Sequence, residues 1–200
     1  DLNLPAANLA RFADLTGQDI AGAAEVNITG NVAVPGGPFD IEIDGTTQDF
    51  DLGIARIDGL FSGQNRIFVA AERDETGTPI REARLTGAGV TAIASGTLAS
   101  DANRIALDLD LPDGTRLDPQ LVGAVTADIT AVSAAGDWTV DGTATGPGGL
   151  TARFDGTAQS TDDGFGPVTA QVVAAAESFA PYSGLAGRSL AGGGDVTARV

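Results

Sequence analysis

The side chains of this sequence that could do chemistry are acidic. Asp108, Asp110 and Asp113 stand close together, and hard cations such as calcium take several carboxylate oxygens. The stretch lacks the turn glycine and bidentate Glu of a calcium loop. Asp108 and Asp110 also fall on the polar side of an alternating segment, so a solvated strand face accounts for them without a metal. Gly192-Gly193-Gly194-Asp195 has the outline of a calcium β-roll nonapeptide, but it is a single incomplete copy. Asn27-Ile28-Thr29 is a glycosylation sequon by pattern only, and it lies inside a predicted strand. Gly87-Ala88-Gly89 lacks the third glycine of a dinucleotide fingerprint.

Catalysis finds little else to use. The chain has no His and no Cys, so the common nucleophile–base pairs, zinc–thiolate sites and disulfides are excluded. Carboxylate pairs abound, yet none is set in an apolar stretch that would raise a pKa for acid–base work. The expectation is a non-enzyme with no catalytic residue, no metal and no cofactor. Trp138 and Phe154 are expected to be bulky inward-facing residues of a sheet, not binding anchors.

Charge narrows the partners. Eleven basic residues stand against 27 acidic ones, a net charge of −16. Such a surface cannot replace phosphate counterions, which excludes nucleic acid, and it repels anionic lipid headgroups. No run of about twenty apolar residues is present, so no membrane span is expected within this stretch. Gly accounts for 28 of the 200 residues and aromatics for only 5%. This composition suits strands, but it is poor material for a dense core of large side chains.

The elements that must position any site are short and alternating. Residues 3–16 read as a short helix, with Asn3 as cap, Pro5 in the first turn and Gly17 as the stop. After that the period changes to two. Ile41 and Ile43 alternate with acidic residues, residues 45–48 read as a turn, and Phe50, Leu52 and Ile54 resume the alternation. Ile67 and Val69 come next, then Leu107 and Leu109, Ile129, Val140, Phe154 and Val172. Gln120 to Gly123 reads as one helical turn opened by Asp118-Pro119. Many short strands at this spacing predict an all-β chain with one or two short helices. The thirteen apolar residues from Ile41 to Val172 just named are the candidate lining of one apolar sheet face.

A repeat frames these strands. Leu15-Thr16-Gly17-Gln18-Asp19-Ile20-Ala21-Gly22 returns as Leu185-Ala186-Gly187-Arg188-Ser189-Leu190-Ala191-Gly192, at a constant offset of 170 positions. One continuous section is expected over 1–200, with a unit at about 9–178 and the opening of the next at 179–200. Gly17, Gly22, Gly187 and Gly192 are expected to be structural turn glycines. With no Met at its start and a strand pattern at its end, the sequence reads as an internal fragment.

The repeated phrase, with Phe179-Ala180-Pro181-Tyr182-Ser183-Gly184 before its second copy, resembles recurring segments of the TamB family in the AsmA-like superfamily. Asp44-Gly45-Thr46-Thr47-Gln48-Asp49-Phe50-Asp51-Leu52-Gly53 and Asp58-Gly59-Leu60-Phe61-Ser62-Gly63 do so as well. The resemblance implies an elongated, curled β-sheet, the β-taco, with a hydrophobic inner face that carries phospholipid acyl chains. It implies a periplasmic protein anchored in the bacterial inner membrane by a segment outside this stretch. It also implies a role in outer-membrane biogenesis, with an outer-membrane barrel partner of the TamA type engaged elsewhere in the protein. The alternative expectation is a closed β-repeat scaffold of an adhesin-like surface protein, with no ligand.

Overall fold

A computed structural model describes residues 1–12, 20–33, 37–55, 57–161 and 164–199. The fold is all-β. Twelve strands succeed one another through the sheet in chain order, and among the described residues there is one short α-helix, α1 (Ser183–Ala186). The strands are β1 (Leu2–Ala6), β2 (Ala21–Val32), β3 (Phe39–Asp51), β4 (Gln64–Arg73), β5 (Thr78–Gly87) and β6 (Thr91–Leu98). After these come β7 (Ala102–Leu111), β8 (Val125–Ala134), β9 (Asp137–Gly146), β10 (Leu150–Thr161), β11 (Gly164–Ala176) and β12 (Gly194–Arg199). The chain divides into two compact units, Asp1–Ser95 and Gly96–Val200.

Two sequence expectations about the first unit are corrected. Residues 2–6 are a strand and not the start of a helix; only Leu9–Phe12 is helical, as a 3₁₀ turn. Leu2, Leu4 and Ala6 stand opposite Ile28, Val26 and Ala24, and an edge strand tolerates the missing N–H of Pro5. Gly17 lies outside the described residues. The second correction concerns residues 45–48, which are the interior of β3 and not a turn. A Cβ on Gly45 would sit 2.6 Å from Glu25 O, 3.2 Å from Val26 Cγ2 and 3.3 Å from Ile67 Cγ1. The glycine therefore marks the close approach of the β2 backbone and two large side chains within a sheet.

Connections within each unit are set by up-and-down topology. Consecutive antiparallel strands put alternate connections at opposite ends. At one end lie tight hairpins. Ala135 and Gly136 join β8 to β9 with φ of 50° and 88°, the left-handed pair that a two-residue hairpin requires. The other end of each unit carries helical connections: Leu9–Phe12 and Asp58–Phe61 in the first unit, and Gly114–Arg116, Pro147–Gly149, Ala180–Tyr182 and α1 in the second. The helical turn expected at 120–123 forms earlier, at Gly114–Arg116, because the Asp113 carboxylate caps Thr115 N at 3.0 Å.

Buried residues lie at both ends of the strands. Toward the helical connections they include Leu60, Thr47, Asn65 and Val90 in the first unit and Leu111 and Leu121 in the second; toward the hairpins they include Ala70, Ala71 and Ser133.

Candidate functional site

Residues directly opposite one another across antiparallel strands share a face, so the register sorts every side chain. In the second unit one transverse row reads Leu107, Ile129, Gly142, Phe154, Val172 and Ala198 across β7 to β12. The next row on that face reads Leu109, Ala127, Ala144, Ala152, Ala174 and Val196. Ile105, Ala131, Val140, Gly156 and Ala170 form a third. In the first unit Leu2, Ile28, Ile43, Val69 and Ala83 form one row, and Leu4, Val26, Gly45, Ile67 and Leu85 another. Ile41 shares that face opposite Gly30 and Ala71.

Within each unit the predicted lining residues Ile41, Ile43, Ile67 and Val69, and Leu107, Leu109, Ile129, Val140, Phe154 and Val172, are thus brought to a common face. None of them is buried. Val26, Ile28, Leu85 and Ile105 complete the rows and lie outside the predicted set. Their alternation was the available signal, but only pairing places them beside the others.

Phe50, Leu52 and Ile54 do not continue the row. Asp49 takes φ 48°, and the register shifts between Ala21 and Ala23 on β2. This β-bulge re-aims the end of β3. Gly63 N donates to Asp49 Oδ1 at 2.8 Å, while Asp49 N donates to Gly63 O at 2.9 Å. Hydrogen bonds from the Gln48 side chain and the Gly63 backbone hold the Asp49 carboxyl below its ordinary pKa. Phe50 meets Phe61 edge-on, with ring centroids 5.9 Å apart. Leu52 and Ile54 lie beyond β3 in the connection to β4, where Ile54 is 48% exposed.

In each unit helical connections pack against one end of its apolar face. Asn65 lies on this face and donates from Nδ2 to Phe61 O at 2.7 Å and Thr47 Oγ1 at 3.3 Å, tying Asp58–Phe61 down onto the sheet. In the second unit Tyr182 lies over Gly146, where a Cβ would clash with its hydroxyl oxygen. That hydroxyl donates to Pro147 O at 2.9 Å, and burial raises its pKa. Gly148 O accepts from Glu177 N at 2.9 Å and Ser178 N at 3.1 Å, joining two of the connections.

Of the predicted turn glycines, Gly22 lies inside β2 and not in a turn, while Gly187 and Gly192 lie in the connection from β11 to β12. Gly22 has φ 101° beside the Asp49 bulge. Gly187 caps α1 with φ 64°, and Gly192, with φ 72°, accepts from Phe179 N at 2.8 Å.

The opposite face is mainly polar and charged, with Phe68, Val132 and Val173 among its residues. Arg66 Nη2 donates to Asp44 Oδ2 at 2.9 Å, and Arg81 Nη2 to Asp40 Oδ1 at 2.7 Å. Thr126 and Thr145 pair through their hydroxyls at 2.8 Å, as do Thr157 and Thr169 at 2.7 Å. Asp108 stands opposite Asp128 and Asp110 opposite Thr126, while Asp113 is occupied as a cap for Thr115. Those Thr115 hydrogen bonds hold the Asp113 carboxyl below its ordinary pKa. Among the described residues no group of three or more Asp, Glu, His or Cys is placed to hold a metal. None of their helices is long and apolar enough to cross a membrane. A hollow of about 420 Å³ lies chiefly among polar-face residues, including Thr139, Asp141, Asp155 and Thr157.

Comparison with protein-family models, with curated proteins and with solved structures gave no match to this chain.

Proposed function

We propose that this chain is a section of a periplasm-spanning protein, anchored in the bacterial inner membrane through a segment outside 1–200. Its apolar sheet face carries phospholipid acyl chains towards the outer membrane. The observation that carries this reading is the row Leu107–Ile129–Phe154–Val172 and its neighbours, large apolar side chains aligned by register, the first three half-buried and Val172 exposed. An acyl chain laid across such a face removes apolar surface from water, worth about 0.8 kcal/mol per buried methylene. The reading includes the β-taco architecture, the support of outer-membrane protein assembly and a barrel partner of the TamA type reached by another region. The acidic face keeps the section soluble.

One observation favours the second reading, a closed adhesin-like scaffold. The row Ala127–Ala144–Ala152–Ala174 is shallow enough for another sheet to approach closely. Leu109→Arg separates the two. In a conduit the variant keeps its circular dichroism spectrum and loses co-purifying phospholipid. Phospholipid absent from the parent protein, or retained at the parent level by the variant, sinks the conduit reading.

A further inference from the structure

On the polar face of the first unit an aromatic ring is set among charged groups. Phe68 falls on that face of β4, two positions from Arg66. Asp44 stands opposite it on β3 and Arg84 on β5. Thr86 stands opposite Arg66. The ring is half-buried, and no side chain of the apolar rows reaches it, because those rows lie on the other side of the sheet.

The charged neighbours are paired around the ring. Arg66 Nη2 meets Asp44 Oδ2 at 2.9 Å, and Arg84 Nη2 meets Glu82 Oε1. With Phe68 and Thr86 these four residues line a second hollow of about 420 Å³, within the size range of small-ligand sites. The Arg66 and Arg84 side chains remain 71% and 50% exposed. Ion pairs this open add little to stability, and their polar atoms stay within reach of a ligand.

We propose that this hollow binds a neutral hexopyranose unit of a glycan. A pyranose ring has an apolar face of C–H groups and a rim of hydroxyls. Phe68 supplies the platform for the C–H face. A hydroxyl both donates and accepts, whereas a guanidinium only donates and a carboxylate only accepts. Each Arg–carboxylate pair therefore matches two neighbouring hydroxyls of the rim. The two guanidinium and two carboxylate charges of the hollow cancel, while Asp40, Glu42 and Glu72 lie beyond it on the same face. That balance disfavours an anionic ligand. A ring with equatorial hydroxyls presents the flattest C–H face to Phe68, and the open pairs leave room for a unit within a chain. The site lies on the face opposite the proposed acyl-chain surface and does not depend on that reading.

The test titrates two neutral, all-equatorial glycans, cellotetraose and the tetramer of N-acetylglucosamine, into the isotope-labelled 200-residue chain and follows amide shifts by NMR. Tetragalacturonate serves as the anionic counterpart. Shifts are expected at 66–68 and 82–86 with at least one neutral glycan and none with tetragalacturonate. Phe68→Trp should keep the platform and the binding, whereas Phe68→Ala should weaken binding on the order of tenfold. Arg66→Ala should weaken it severalfold at an unchanged melting temperature, because its ion pair is exposed. No shifts with either neutral glycan, binding of tetragalacturonate as tight as theirs, or undiminished binding by the Phe68→Ala chain overturns the proposal.

Discussion

The ring of Phe154 lies over Gly142, its partner on the neighbouring strand. The two are paired in register, and a Cβ on Gly142 would fall 2.5 Å from Phe154 Cζ. In the row Leu107–Ile129–Gly142–Phe154–Val172 the glycine is the one gap, and it leaves room both for the Phe154 ring and for Asp128 O, which the same Cβ would meet at 2.5 Å. Gly142→Ala is expected to force the ring aside and destabilise the chain by about 1–3 kcal/mol. Urea unfolding reads this as a lower midpoint at unchanged slope. An unchanged midpoint would show that the ring is free to move.

Gly22 and Gly192 occupy matching places in the repeated phrase, yet they are expected to respond differently to alanine. Gly22 combines φ 101° with a virtual Cβ only 2.5 Å from Asp49 O. Gly192 has φ 72° and open space around it. Gly192→Ala should cost only the left-handed penalty, on the order of 1 kcal/mol, and Gly22→Ala clearly more. Thermal unfolding of the two variants side by side checks the order, and equal losses would contradict the bulge geometry.

How far the sequence revealed this arrangement depends on the range of each interaction. Alternation is local, so Ile41 and Ile43 or Leu107 and Leu109 were legible as strand residues of one face. Which strand faces which is not local. Phe154 opposite Gly142, and Ala198 opposite Val172, come from pairing register alone. Gly45 misled for the same reason: glycine signals a turn locally, but here it answers to Val26 and Ile67 on two other strands. Phe50 misled because the Asp49 bulge interrupts the period without any proline or glycine at that point of β3 itself; the glycine at the break, Gly22, is on the partner strand. Pro5 suggested a helix start, although an edge strand accommodates it equally well.

Tyr182 is the chain's one tyrosine, so its titration can be read by tyrosinate absorbance alone. Burial raises its pKa above the ordinary value of 10.0. The neutral hydroxyl is therefore favoured in the folded state. The stability it contributes is fully present below pH 10 and is lost as pH rises through the folded-state value. Tyr182→Phe should remove the hydrogen bond to Pro147 O, lower stability by about 1 kcal/mol and abolish this part of the alkaline dependence. A tyrosinate transition at the ordinary value would contradict the packing of Tyr182 over Gly146.

The central claim is that the apolar face holds acyl chains, and neighbouring residues on opposite faces test it most directly. Ile129 lies in the row with Leu107 and Phe154, while Thr130 lies on the polar face opposite Asp141. A photoreactive residue placed at each position in turn, in the intact protein within bacterial cells, should capture phospholipid from position 129 and none from position 130. Capture from neither position, or equally from both, would contradict the account.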